Sequence, residues 1–111
     1  VGGWEATAAA ANVNGLSDAL VETNSMYIGV DPSGTTDNAQ YNVSVGPYAL
    51  DAVTTGDKNT LMGWKSGNSI TTGAYNTLIG NEAGENLVDG SGNIVIGVQV
   101  GHIGDVSSFH V

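Results

Sequence analysis

Asn59-Thr60-Leu61-Met62-Gly63 is followed by Asn76-Thr77-Leu78-Ile79-Gly80, and that by Asn93-Ile94-Val95-Ile96-Gly97. The step is seventeen residues each time. Extended backward, the same step adds Asn42 to the Asn column and Gly29 and Gly46 to the Gly column. Self-similarity at a fixed short period marks a solenoid or fibre, in which one small unit is stacked on the next.

Five units run without insertion from Ser25 to Phe109: SMYIGVDPSGTTDNAQY, NVSVGPYALDAVTTGDK, NTLMGWKSGNSITTGAY, NTLIGNEAGENLVDGSG and NIVIGVQVGHIGDVSSF. Position four holds Ile28, Val45, Met62, Ile79 and Ile96. It is always apolar and is assigned to the interior. Position eight (Pro32, Ala49, Ser66, Ala83, Val100) is small or apolar, and position twelve is apolar in the central units (Val53, Ile70, Leu87). The runs VSVG, TLMG, TLIG and IVIG read as short strands ending in a bend. TTG and VDG read as turns in which Gly takes a positive φ. Helix is a poor alternative, since each interior Gly costs about 1 kcal/mol.

One unit per coil stacks identical columns at about 4.7–4.9 Å. Two roles then fit the Asn column: an amide ladder from coil to coil, or a residue type suited to a turn. With position four inside, Met26, Tyr27, Leu61, Trp64, Leu78, Val95 and Val98 are left over as apolar residues in variable columns. Burial of about 1.5–3 kcal/mol per aliphatic side chain barely offsets ordering at about 1–2 kcal/mol per residue. A second buried face, made by identical chains around a common axis, is therefore expected, with three-fold association preferred. The expected fold class is all-β: a repetitive parallel β-solenoid or β-roll-like fibre segment, homotrimeric, with a short N-terminal neck.

The expected organisation is a neck over residues 1–24, the repeats over 25–109, and an end at 110–111. Residues 6–11 are almost all Ala, and Val13, Leu16 and Leu20 follow at the spacing of a coiled-coil seam. Ser17 to Glu22 read as one or two helical turns with Ser17 as cap. A linker from a neighbouring domain is the alternative. The chain begins with Val, so a fragment or processed product is expected.

Lys58 and Lys65 are the only basic residues against eleven acidic ones, a formal charge of −9. That balance excludes nucleic-acid binding, which needs a basic surface, and electrostatic docking to anionic membranes. No apolar run is long enough to span a bilayer. The lack of Cys excludes disulfides and thiolate metal sites.

The units NTLMGWKSGNSITTGAY and NTLIGNEAGENLVDGSG resemble the repeats of bacteriophage tail-fibre proteins, which follow N-T-A-[VI]-G-x-x-A-L-x-x-x-T-T-G-x-x. Unit two matches at Asn42, Val45, Gly46, Ala49, Leu50, Thr54, Thr55 and Gly56. The lead-in from Val13 to Leu20, with Met26-Tyr27-Ile28-Gly29 and Asp31-Pro32-Ser33, resembles tail-fibre-like proteins of marine phages that infect cyanobacteria. The resemblance implies a homotrimeric fibre segment that carries a host-binding tip away from the virion, with other fibre domains as neighbours. A weaker similarity is to the head repeats of trimeric autotransporter adhesins, which are typically shorter. Many such phage fibres carry a self-cleaving C-terminal chaperone domain, and no segment here matches one.

No catalytic constellation emerges, and neither an enzyme activity nor a cofactor is expected. Asp51, Asp57, Glu82, Glu85, Asp89 and Asp105 fall in no single column, whereas glycoside hydrolysis needs two carboxylates held across a sugar. His102 and His110 are eight residues apart rather than paired on one strand, so they are read as surface or end residues rather than metal ligands. Trp64, Tyr48 and Tyr75 are candidates for glycan contact, with inter-chain packing as the competing role; Phe109 is a further aromatic of the same kind. The pairs Thr54-Thr55 and Thr71-Thr72 raise ice binding as a third function. The leading expectation is a structural segment of a virion fibre. The second is an extracellular or cell-surface adhesin or filament subunit that binds glycans.

Overall fold

The structure, a computed structural model, describes residues 12–100. The Ala-rich run, Asp105, Phe109, His102 and His110 lie outside the described residues. Within them a single sheet holds β1 (Ala19–Glu22), β2 (Ser25–Ile28), β3 (Val43–Val45), β4 (Thr60–Met62), β5 (Thr77–Ile79) and β6 (Ile94–Ile96), in that order. From β2 to β6 all pairs are parallel, and each residue pairs with the one seventeen along: Ser44 with Leu61, Leu61 with Leu78, Leu78 with Val95. Four such crossovers make about four turns of a parallel β-solenoid. One chain builds every described coil by itself; these coils do not require interleaved chains.

The Gly at position five ends each strand for two reasons. Gly46, Gly63, Gly80 and Gly97 have φ between +131° and +147°, and a Cβ on Gly63 would sit 2.3 Å from the carbonyl oxygen of Gly80 in the next coil. Two further corners use non-glycine residues in the left-handed region. One is position seventeen: Tyr41 (φ 60°), Lys58 (58°) and Tyr75 (62°). The other is position seven: Tyr48 (62°), Lys65 (59°), Glu82 (59°) and Gln99 (57°). Such backbone is unfavourable for side-chain-bearing residues. It is offset by coil-to-coil bonds at the same corners: Lys58 N donates to Gln40 O, Tyr75 N to Asp57 O, Lys65 N to Pro47 O and Glu82 N to Trp64 O, all at 2.8–3.0 Å.

The buried columns are positions one, three, eight, nine, twelve and fifteen. Position twelve (Val53, Ile70, Leu87) and position eight (Ala49, Ser66, Ala83) are inside as the sequence predicts. Position four is not. Ile28 is half-buried, and Val45, Met62, Ile79 and Ile96 are exposed, while Tyr27, Ser44, Leu61, Leu78 and Val95 at position three are fully buried. The expected phase is wrong by one residue, and in a strand one residue exchanges the two faces. Core volume is shared between positions three and nine. A Cβ on Gly67 would lie 2.4 Å from Leu61 Cδ2 and 2.9 Å from Leu78 Cδ1. In the coil where position three is the small Ser44, position nine is instead the buried Leu50.

The N-terminal expectation also changes. No α-helix occurs among the described residues. The segment read as helical turns contains β1, which pairs antiparallel with β2 (Leu20 with Tyr27, Val21 with Met26). Thr23 (φ 48°) and Asn24 (φ 62°) form the two-residue connection, the left-left geometry that matches strand twist in a tight hairpin. Leu20 is buried in the core, whereas Leu16 is exposed. The three-four spacing of Val13, Leu16 and Leu20 therefore marks a 3-10 turn (Val13–Gly15) followed by a strand.

Candidate association face

Asn42, Asn59, Asn76 and Asn93 form a buried amide ladder. The Oδ1 of each of the first three accepts from the next Asn twice. Asn59 donates to Asn42 from N (2.9 Å) and Nδ2 (3.1 Å). Asn76 donates to Asn59 from both nitrogens at 3.0 Å, and Asn93 to Asn76 likewise. The second amide hydrogen of the first three goes to Gly56 O, Gly73 O and Gly90 O at 2.8–2.9 Å. The first unit has Ser25 in this column, and its Oγ accepts from Asn42 N at 3.0 Å. None of the four Asn residues is left-handed; the left-handed residue is the one before it. Of the two roles for the column, the structure selects the ladder. Its contribution is structural, since no part of it reaches the surface.

The surface feature built by the repeat is the outer face of the sheet. Alternation along each strand sends positions two and four outward: Met26, Val43, Thr60, Thr77 and Ile94 in one column, Ile28, Val45, Met62, Ile79 and Ile96 in the other. Met62 is 55% exposed and Ile96 62%. Positions one to six carry no charged residue in any of the five units. The acids and the two lysines all fall at other positions. A chain of charge −9 thus keeps one apolar, charge-free sheet face. Five rows at about 4.8 Å and a width of about five residues at 3.3 Å give it roughly 400 Å². That matches the largest apolar patch on a typical monomer, a size that is often functional.

Position seventeen borders this face on one side and positions six and seven on the other. On the first border Lys58 Nζ lies 5.4 Å from the ring centre of Tyr41 and 5.1 Å from that of Tyr75. On the second, Lys65 Nζ lies 4.7 Å from the Trp64 ring. These distances are those of cation–π contacts, so both cations of the chain are held in place at the edges of one apolar face. The sequence marks Lys58 and Lys65 only through the charge balance, and Tyr41 not at all. The seventeen-residue step from Tyr41 through Lys58 to Tyr75 is the signal that finds Tyr41 and Lys58.

The predicted glycan contacts are accessible but separated. Tyr75 (61% exposed) lies on one border, Tyr48 and Trp64 on the other. The structure does not gather the three into one site. The Thr pairs make a poor array. Thr54 Oγ1 donates to Thr71 O at 3.1 Å and Thr71 Oγ1 to Val88 O at 3.4 Å, so the first hydroxyl of each pair is engaged by the next coil. Among the described residues no three His, Asp or Glu side chains gather as metal ligands do, and no helix is long and apolar enough to cross a membrane.

No family model matches the chain, and no curated protein or solved structure does either. The face is therefore interpreted from its own chemistry.

Proposed function

We propose that this chain is a structural segment of a trimeric phage tail fibre or related virion appendage, which holds a host-binding tip away from the particle. The observation that carries the reading is the charge-free outer face. Position four is apolar in every unit although it faces outward, and a self-contained solenoid has no use for four consecutive rows of exposed apolar side chains. Association of identical chains through that face explains the column. The regular coils supply length, the amide ladder supplies rigidity, and the resemblance of the units to tail-fibre repeats supplies the context. The accessible Tyr41, Tyr48, Trp64 and Tyr75 favour the second reading, an extracellular adhesin or filament subunit that stacks these rings on sugars.

Native mass spectrometry or light scattering tests the first reading. A mass of three chains is expected. Ile79→Asp, which places a charge in the middle of the face, is expected to give a monomer with an unchanged β spectrum by circular dichroism. A parent chain that stays monomeric at every concentration refutes the self-association. So does an Ile79→Asp variant that keeps the parent's mass.

A further inference from the structure

The two ends of the described solenoid differ. At the lower end β1 lies antiparallel along β2 and closes that edge of the sheet, and Ser25 Oγ takes the N–H of Asn42. At the upper end β6 is the edge strand. Asn59, Asn76 and Asn93 each make three bonds to the coil beneath. The N–H and the side-chain amide both donate to the Oδ1 of the Asn below. The carbonyl accepts from the N–H of position two below: Val43 N to Asn59 O, Thr60 N to Asn76 O and Thr77 N to Asn93 O, at 2.8–2.9 Å. Above Asn93 the series stops. Its Oδ1 is buried and has no hydrogen-bond partner. A ladder that elsewhere fills each Oδ1 twice thus ends on a bare acceptor. Buried polar atoms without a partner are rare in folded proteins, because desolvation is then uncompensated. This one marks a place for a donor.

We propose that the upper end is a docking site for the chain's own residues 101–111, with His110 as the rung above Asn93. Residues 101–109 occupy positions nine to seventeen of the fifth unit, and the step that joins Asn76 to Asn93 joins Asn93 to His110. In that place the His110 N–H donates to Asn93 Oδ1, and its carbonyl accepts from Ile94 N–H. These are the two backbone bonds that Asn93 itself makes to Asn76 and Thr77. The lower rungs receive a second bond, from the side-chain amide; a neutral imidazole carries one ring N–H for that role. The ladder would then end as it begins, with a residue other than Asn in the column, as Ser25 is at the bottom. Solenoids use atypical end units because the last coil has no coil beyond it. A second copy of the chain fits this end less well. Its β2 is already paired with β1, and β1 places Glu22 opposite Ser25 in line with the column. Glu22 brings a carboxylate there, which accepts and does not donate when ionised.

The inference concerns the end of the solenoid and holds whether or not the outer face associates. Hydrogen exchange at the Ile94 amide, read by NMR on the whole chain at two protein concentrations, tests it. In the parent this amide is expected to exchange within about tenfold of the Thr77 amide, its counterpart one coil below. Removing residues 110 and 111 should speed it by roughly tenfold or more while leaving Thr77 within about threefold. His110→Asn restores both donors of the lower rungs and should raise the urea midpoint by about 0.5–1 M. An Ile94 amide that exchanges freely in the parent overturns the proposal. So does one whose protection survives removal of residues 110 and 111, since another group then covers the edge. Protection that appears only at the higher concentration assigns the rung to a second copy and overturns it too. A His110→Asn midpoint at or below the parent's would show that position 110 does not stand in the Asn column.

Discussion

Replacing Asn76 with Ala tests the amide ladder at its centre. The side chain donates to Asn59 Oδ1 at 3.0 Å and Gly90 O at 2.8 Å, and its own Oδ1 accepts from Asn93 N and Nδ2 at 3.0 Å each. Ala meets no backbone obstacle, because Asn76 is not left-handed. It leaves the Asn93 N–H, the Asn93 amide and the Gly90 carbonyl without these partners, all in buried residues. A buried group stripped of its partner costs about 1–3 kcal/mol. Three of them cost at least about 3 kcal/mol, against a total stability of about 5–15 kcal/mol for a domain. With a urea dependence of about 1 kcal/mol per molar, the unfolding midpoint should fall by about 3 M or more. Parent and variant are compared by circular dichroism at one protein concentration, so that self-association of either contributes no difference.

Asn76→Asp sharpens the test. Its carboxylate can still accept from Asn93 but can no longer donate, and it sets oxygen against Asn59 Oδ1 and Gly90 O. Burial and facing acceptors raise its folded pKa above the unfolded value of about 3.9. A raised folded pKa gives stability that is fully present below the unfolded value and lost as pH rises through the folded one. The Asp variant should therefore gain on the Ala variant as pH falls from 7 toward 4. An Ala midpoint within about 0.5 M of the parent's, with an Asp variant insensitive to pH, would show that the column is a turn preference and that the ladder contributes little.

Gly63→Ala should unfold the chain or render it insoluble, because its Cβ would lie 2.3 Å from Gly80 O at a φ of +138°. Gly92→Ala should cost only about 1–2 kcal/mol in the same denaturation assay, since its φ is +73° but nothing lies within 4 Å of the added carbon. Ser44→Leu alone overpacks the core and should cost about 1–3 kcal/mol; Leu50→Gly alone opens a cavity and should cost about 2–5 kcal/mol. Combined they recreate the Leu/Gly pairing of Leu61 with Gly67 and remove the unpartnered buried Ser44 Oγ, so the double variant should be far less destabilised than the sum; strict additivity would refute the volume exchange. Thr23→Asn with Asn24→Gly installs the sequence best suited to a left-left hairpin turn and should raise the melting temperature by a few degrees, corresponding to about 0.5–1 kcal/mol.

The period, the strand positions, the Gly corner at position five and the ladder column are legible in the sequence because each is enforced by contact between a residue and its copy seventeen along. The positive φ expected of Gly in TTG and VDG is not found: Gly56, Gly73 and Gly90 are not left-handed, and a Cβ on Gly56 or Gly73 would instead collide with the carbonyl of the glycine in the next coil. The burial phase is not. In the central units positions three and four are both apolar (Leu61-Met62, Leu78-Ile79, Val95-Ile96), and Ser44 interrupts the true core column while nothing interrupts the false one. Uniform apolarity at position four is not explained by the chain's own core, and the sequence does not mark which of two apolar columns is the internal one. Ala19 to Ile28 held a clearer signal than the helical spacing: two four-residue runs around Thr23-Asn24, the pattern of a hairpin. The apolar outer face became visible only once the structure put positions two and four on one side with Lys58 and Lys65 at its edges. The missed lysines share a cause, since a lone basic residue in an acidic chain looks like solvated surface until its aromatic neighbours are placed around it.

Because every coil makes the same bonds to the coil below it, reach is inherited in fixed quanta. Removing residues 59–75 would join Lys58 to Asn76 and present the next layer with the same amide, the same glycine and the same corner it had before. A copying error of seventeen codons therefore changes how far the segment extends, by about 4.8 Å, and little else. An error that is not a whole multiple of seventeen codons leaves the coil at the junction too long or too short. Length is thus the property of this fold most open to natural variation.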